Sequence, residues 1–215
     1  MRCRVALAEK GLEYVYREEE SIMECKSRLL AKSDPVRMRV PVLLHDGKPV
    51  SESLIIVQYL DEVWPDRAPL LPADPYGRAK ARFWADFIDK EVRWLLLSPL
   101  RLPLWKLKGE DQEEARDQFI RALKVLEGEL GEKKYFGGDD TFGFVDIILI
   151  PVVAWYRTYE MFGIFSTEVH APRLMAWGKR CMERESVAMS SLPDPHKVQE
   201  FVCFLRDKKP GLQPF

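Results

Sequence analysis

The chain has 215 residues, enough for one large or two small domains. Its hydrophobic content of 47% is ordinary for a globular protein, and 33 basic against 34 acidic side chains leave a net charge of −1. That balance argues against nucleic acid or an anionic membrane as partner, since both are recognised through clustered positive charge, and the basic runs at Lys106 to Lys108 and Lys208-Lys209 are short.

In chain order, Val5 to Lys10 reads as a helix closed by Gly11. Tyr14-Val15-Tyr16 reads as a short strand. Ser21 to Ser33 is mixed, a helix or an ordered loop. Arg39 to Leu44 is a strand, Asp46-Gly47 supplies the positive φ of a tight hairpin, and Lys48 to Ser51 returns antiparallel. Leu54 to Leu60 is apolar on most faces, which predicts a helix buried on several sides. Pro65, Pro69, Pro72 and Pro75 then fall within eleven residues, a density that stops regular structure and marks a linker. Asp74-Pro75 opens the next helix, with Asp as N-cap and Pro in the first turn.

The remainder is helical. Ala79, Phe83 and Phe87 recur every fourth residue, and Phe119, Leu123, Leu126 and Leu130 at four, three and four, so each set predicts a one-sided buried stripe. Gly137 to Asp140 is a turn. Val145 to Tyr159 is a strongly apolar helix expected at the core of the second domain. Leu174 to Met182 and Val198 to Leu205 are later helices, separated by Leu192-Pro193-Asp194-Pro195. The expected organisation is a small α+β domain over residues 1–64, a linker over 65–74 and an all-α domain over 75–215. Periodicity and composition carry the reading no further.

No apolar run approaches the roughly 20 residues needed to span a bilayer, and the apolar stretch Val5 to Ala8 is too short for a signal peptide. Cys3, Cys25, Cys181 and Cys203 lie far apart without a CxxC pair, the pattern of reduced cysteines in a cytoplasmic protein. His45, His170 and His196 are isolated, so no metal is expected.

Several segments resemble, in order, the plant tau-class glutathione transferases. They are Met1 to Gly11, Val40-Pro41-Val42-Leu43, Gly47-Lys48-Pro49-Val50, Glu52 to Ile56, Asp61-Glu62-Val63-Trp64, Arg78 to Trp84, Tyr135-Phe136-Gly137-Gly138 and Phe144-Val145-Asp146. Each alone is weak, and together they span nearly the whole chain. The resemblance implies a thioredoxin-like N-terminal domain followed by an all-helical one. It implies a cytoplasmic homodimer, glutathione as co-substrate, no metal, no nucleic acid or membrane partner, and conjugation of the glutathione thiolate to small hydrophobic electrophiles in detoxification.

It also implies site residues. In the family the bond before Pro41 is cis and exposes the Val40 backbone, on which the cysteinyl part of glutathione pairs like an extra strand. On residue pattern alone, Pro41 is as readily a trans proline opening an edge strand. Glu52 and Ser53 match the residues that hold the γ-glutamyl end, its carboxylate lying at a helix N-terminus. Without the resemblance they are an ordinary helix cap. Lys26 and Arg39 are the candidates for the glycyl carboxylate. Reaching Lys26 requires two extra residues in Ser21 to Glu24, and Arg39 stands where the family usually has lysine. For the electrophile pocket the candidates are Arg101, Trp105, Trp155, Tyr159 and Phe204, though on residue pattern alone the aromatics are as readily core. Arg101 sits four residues before Trp105, where the family spacing is three. Asp146 matches a capping aspartate, with Gly143 in place of its usual Ser/Thr partner.

In the family the first strand and a Ser-Pro-Phe-type turn lie just upstream of the residue matching Met1, and the turn's serine activates glutathione. The thioredoxin-like domain is therefore expected to be incomplete, its first strand missing, and the catalytic residue is not assigned. A start codon placed at an internal methionine, a short isoform and a variant using another group all remain open. Cys3 is the one thiol near the site by sequence, and a passive role is expected for it. The rival to an enzyme is a non-catalytic protein that carries hydrophobic ligands beside a crippled glutathione site.

Overall fold

The computed structural model describes residues 1–19, 26–93, 107–190 and 194–207. Helix α1 (Arg2–Glu9) is followed by α2 (Arg28–Ser33), the hairpin β1 (Val42–His45) and β2 (Lys48–Ser51), and α3 (Ser53–Val63). After the proline-rich stretch come α4 (Pro75–Phe87), continued by π-helical turns over Ile88–Arg93, and the long α5 (Glu110–Leu130). Then follow α6 (Phe144–Val153), α7 (Tyr156–Gly163), α8 (Thr167–His170), α9 (Pro172–Met182), α10 (Glu185–Ala188) and α11 (Pro195–Asp207).

The N-terminal part is built on a tight turn. Asp46 and Gly47 both take positive φ, 50° and 75°, which suits a two-residue hairpin. The register pairs Val42 with Ser51 and His45 with Lys48. The first strand starts later than Arg39 because the Arg39 N–H is taken by the Asp34 carboxylate at 3.1 Å and Pro41 has no N–H to give. Tyr14-Val15-Tyr16 is not a strand. A strand needs a neighbour for its backbone groups, and no described segment pairs with it; its Tyr rings instead meet Arg4, one through a 3.2 Å hydrogen bond and one through a cation–π contact.

Helix α3 buries one face only. Ile56, Val57 and Leu60 are fully enclosed, whereas Ile55 points outward, so the expectation of burial on several sides was too broad. Enclosing those three side chains stabilises this contact with α1 by about 1.5–3 kcal/mol each. Asp74 caps α4 as expected, accepting from Gly77 N–H at 2.8 Å, with Pro75 at its start. The buried stripe of α4, however, is Ala81, Ala85, Ile88 and Val92. Phe83 is 60% exposed. The two alanines let α4 approach α6 closely, and that contact, rather than the bulk of the phenylalanines, decides which face turns in. On α5 the stripe Phe119, Leu123, Leu126 and Leu130 is buried as expected.

The apolar segment from Val145 to Tyr159 is two helices, not one. Pro151 withholds the N–H that would bond the Ile147 carbonyl, and the ladder then closes with a tighter bond from Trp155 N–H to Val152 O at 3.0 Å. The break falls at Ala154-Trp155 and leaves Trp155 at a junction. Asp146 anchors the start of α6 from a fully buried position. Its carboxylate accepts from the N–H groups of Gly143 (3.0 Å), Phe136 (2.9 Å) and Gly137 (3.3 Å) and from the Trp177 indole (2.7 Å). Burial pushes its pKa above the ordinary carboxyl range, opposed by those four donors.

One apolar cluster runs through the molecule, from Val5, Ile56 and Leu60 across Leu70 and Leu71 to Phe144, Leu149 and Trp177. Among the described residues no helix is long and apolar enough to cross a membrane.

Candidate functional site

The hairpin register builds the site. Because Val42 pairs with Ser51, the next residues along, Pro41 and Glu52, leave the sheet opposite each other. The Val40–Pro41 peptide is cis, and Val40 is 48% exposed. Asp34 holds the loop before it. Its buried carboxylate accepts from the N–H groups of Arg37 (3.3 Å) and Arg39 (3.1 Å), and its carbonyl accepts from Met38 N–H at 2.8 Å. This sets Arg39, exposed, next to Val40. Lys26 is half-buried just ahead of α2, whose N-cap Ser27 accepts from Leu30 N–H at 3.1 Å. Helix α2 packs on β2, the strand that leads into Glu52.

Glu52 takes φ 71° and ψ 122°, a region a non-glycine residue enters at a cost of about 1–3 kcal/mol. That conformation turns the chain from β2 into α3. The first helical rung runs from Ile56 N–H to Glu52 O at 2.8 Å, so the N–H groups of Ser53, Leu54 and Ile55 stand ahead of it at the positive end of the helix. Such an end favours an anion. The Glu52 carboxylate pairs with the Arg37 guanidinium at the surface.

The Ser53 hydroxyl accepts from Arg2 Nη1 at 3.4 Å. Arg2 is buried; its Nε donates to Ile148 O at 2.9 Å and its Nη2 lies 2.7 Å from an Asp89 carboxylate oxygen. A buried cation with these partners has a fixed direction, because leaving them would strand its charge. Asp89 belongs to the π-helical turns after α4, a widened geometry that often accompanies functional sites. Sequence reasoning singled out none of Arg2, Asp34, Arg37 and Asp89. Asp34-Pro35 is a turn signal that could have found Asp34. No spacing connects Arg2 with Asp89.

Of the electrophile-pocket candidates, Arg101 and Trp105 lie outside the described residues. Trp155 is half-buried at the α6–α7 break and packs on Phe162 and Val202. Tyr159 is 0% exposed, stacked behind Trp155 at 6.1 Å and tilted against Phe119 at 5.4 Å, so it backs the tryptophan and presents no open wall. Phe204 on α11 is 54% exposed. The structure thus brings Val40, Pro41, Arg39, Glu52 and Ser53 together, with Trp155 and Tyr159 stacked on the helical side and Phe204 exposed on α11.

The thiols are muted. Burial pushes the Cys3 thiol up to about 11, and Cys181 is raised further for the same reason. Cys3 is therefore protonated at neutral pH and is no activated group. Among the described residues no cluster of three or more His, Cys, Asp and Glu side chains is set to hold a metal ion.

Residues 1–62 match the family model of the glutathione S-transferase N-terminal domain, and residues 110–180 that of the glutathione S-transferase C-terminal domain. Glutathione S-transferase U19 of Arabidopsis thaliana is 55% identical over 208 residues, 97% of this chain and 91% of that protein. The crystal structure of rice GST1 (OsGSTU1) in complex with glutathione matches with a TM-score of 0.87 at 47% identity, over 98% of this chain and 92% of that one. The tau-class glutathione S-transferase MiGSTU of mango, Mangifera indica, matches at 0.82 with 34% identity, over 95% and 92%. This chain belongs to the tau class of plant glutathione transferases. The α+β half of this transferase is accordingly the thioredoxin-like one, with two strands among the described residues, and its partner is all helical.

Proposed function

We propose that this transferase binds glutathione along the exposed Val40 backbone, with its γ-glutamyl carboxylate at Ser53 and the N-terminus of α3, its ammonium at Glu52, and its glycyl carboxylate near Arg39 and Lys26. The observation that carries this reading is the hairpin register, which sets the cis Val40–Pro41 turn opposite a free helix N-terminus. Glutathione is the co-substrate of the family, and the rice relative was crystallised with it. Among the described residues nothing pairs with the Val40 backbone, which suits an extended peptide, and the helix end and two cations suit its two carboxylates.

The reaction is attack by the glutathione sulfur on a small hydrophobic electrophile. A free thiol with a pKa of about 8.5 is only a few per cent ionised at neutral pH, and the residues assigned to the two carboxylates leave the group that activates it unassigned. The thiol proton passes to solvent, the sulfur forms a bond to the electrophilic carbon, and with an aryl halide the halide departs with the bonding pair. Trp155 and Phe204 supply an apolar surface for the electrophile, and Arg101 and Trp105 are assigned to the same pocket. Detoxification is the role assigned to that chemistry, and the cytoplasm is the compartment assigned from the dispersed, unpaired cysteines.

We assign the domain division to residues 1–64, 65–74 and 75–215. Glutathione transferases are in general dimeric, and the outward faces of Tyr76 and Phe83 on α4 suit a second copy of this chain. The test is conjugation of glutathione to a chromogenic aryl halide, with Glu52→Ala alongside. Turnover that falls at least tenfold in the variant supports the site. Glutathione binding without any turnover points instead to a carrier of hydrophobic ligands.

A further inference from the structure

We propose that Arg37 is a specificity-determining residue that sets how strongly the site demands an α-ammonium group on its ligand; this rests on the placement of the γ-glutamyl end at Glu52 and Ser53. The Glu52 carboxylate already has a cation, the Arg37 guanidinium. Arg37 stands there because its own N–H is tied to the buried Asp34 carboxylate at 3.3 Å, which fixes the root of the side chain two residues from Arg39. The pair is exposed, at 56% for the Arg37 side chain and 42% for that of Glu52, so it exchanges readily with solvent or a ligand.

Two consequences oppose each other. A ligand that carries an ammonium must take Glu52 away from Arg37, and so gives back part of its own ion-pairing energy. A ligand without the ammonium meets a carboxylate that is already neutralised, and leaves nothing unpaired when it binds. The neighbouring cations are committed elsewhere. Arg2 faces Ser53 but is held by Asp89 and the Ile148 carbonyl, and Arg39 is the group assigned to the glycyl carboxylate. With Arg37 present the site tolerates thiol peptides whose γ-glutamyl amine is missing or blocked. Without it the site becomes stricter for glutathione itself.

The experiment is calorimetric titration of the full chain, Arg37→Gln and Arg37→Lys with two probes: glutathione and its deaminated analogue, glutaryl-cysteinylglycine. Arg37→Gln is expected to bind glutathione about two- to fivefold more tightly, the span of one exposed ion pair, and the analogue less tightly. The ratio of the two dissociation constants rises accordingly. Arg37→Lys keeps the charge and the wild-type ratio. An unchanged ratio in Arg37→Gln, or weaker glutathione binding, overturns the proposal. If the wild-type chain binds glutathione but Glu52→Gln binds it equally well, the ammonium is not at Glu52, and the site reading beneath the proposal falls instead.

Discussion

Lys10→Met should cost this protein about 3 kcal/mol of stability. Lys10 is 2% exposed at the end of α1. Its ammonium donates to the carbonyls of Trp64 (3.0 Å), Arg67 (2.7 Å) and Ala68 (3.4 Å) and lies 2.9 Å from Asp61 Oδ1. Asp61 in turn accepts from the N–H groups of Leu70 (2.8 Å) and Leu71 (3.1 Å). Methionine keeps the length of the side chain and removes the charge. Breaking a buried pair from one side costs about 3–5 kcal/mol, and the two N–H donors left on Asp61 favour the lower end. For a chain of this size that lowers the melting temperature by about 6–12 °C. Lys10→Met with Asp61→Asn removes the stranded charge and should recover about 1–2 kcal/mol. Calorimetric melts of the three chains decide it. A single variant that melts within about 2 °C of the wild type, or a double variant weaker than the single, would refute the reasoning.

Asp89→Asn withdraws the carboxylate that steers buried Arg2 towards Ser53, and should weaken glutathione binding about five- to tenfold by calorimetry, the worth of one ordinary hydrogen bond. Asp86→Asn, whose carboxylate meets the exposed Lys90, should leave that affinity unchanged. Iodoacetamide at pH 7.5 should label neither Cys3 nor Cys181 in the folded chain and both in urea, read by mass spectrometry. The folded Cys3 thiol keeps its proton up to about pH 11, whereas an unfolded one loses it near 9.0. The folded state therefore binds more protons in that window, and stability falls as pH rises from 9 towards 11 by up to about 1.4 kcal/mol per pH unit; Cys3→Ala should flatten the slope in alkaline urea melts.

Local chemistry was legible in the sequence where it acts within a few residues. Asp46-Gly47 specified its hairpin, Asp74-Pro75 its helix start, and the α5 stripe its buried face. The errors came where distant partners decide. The α4 face was misjudged because periodicity weighs Phe83 above Ala81 and Ala85, while close approach to α6 rewards the alanines. Pro151 lay in view inside the apolar segment, yet its effect on the helix depended on how the ladder closed again at Trp155. Of the proposed site, Val40, Pro41, Glu52 and Ser53 come from family motifs at the strand ends. Arg2 and Asp89 do not, because a buried ion pair between sequence-distant residues leaves no periodic trace.

The unbroken apolar cluster from α1 to α9 has a thermodynamic consequence. With Leu70 and Leu71 buried in the connecting stretch and Leu70 O bonded to Phe144 N–H at 2.7 Å, the two halves share their interior and are expected to lose it together. Any ligand that grips one half then lends its free energy to both, about 2.7 kcal/mol at a hundred times its dissociation constant. Amides in the middle of α5, remote from the strand ends, should exchange with solvent deuterium more slowly once the α3 terminus is occupied. In such a molecule the supply of ligand is expected to set how long the helical half persists.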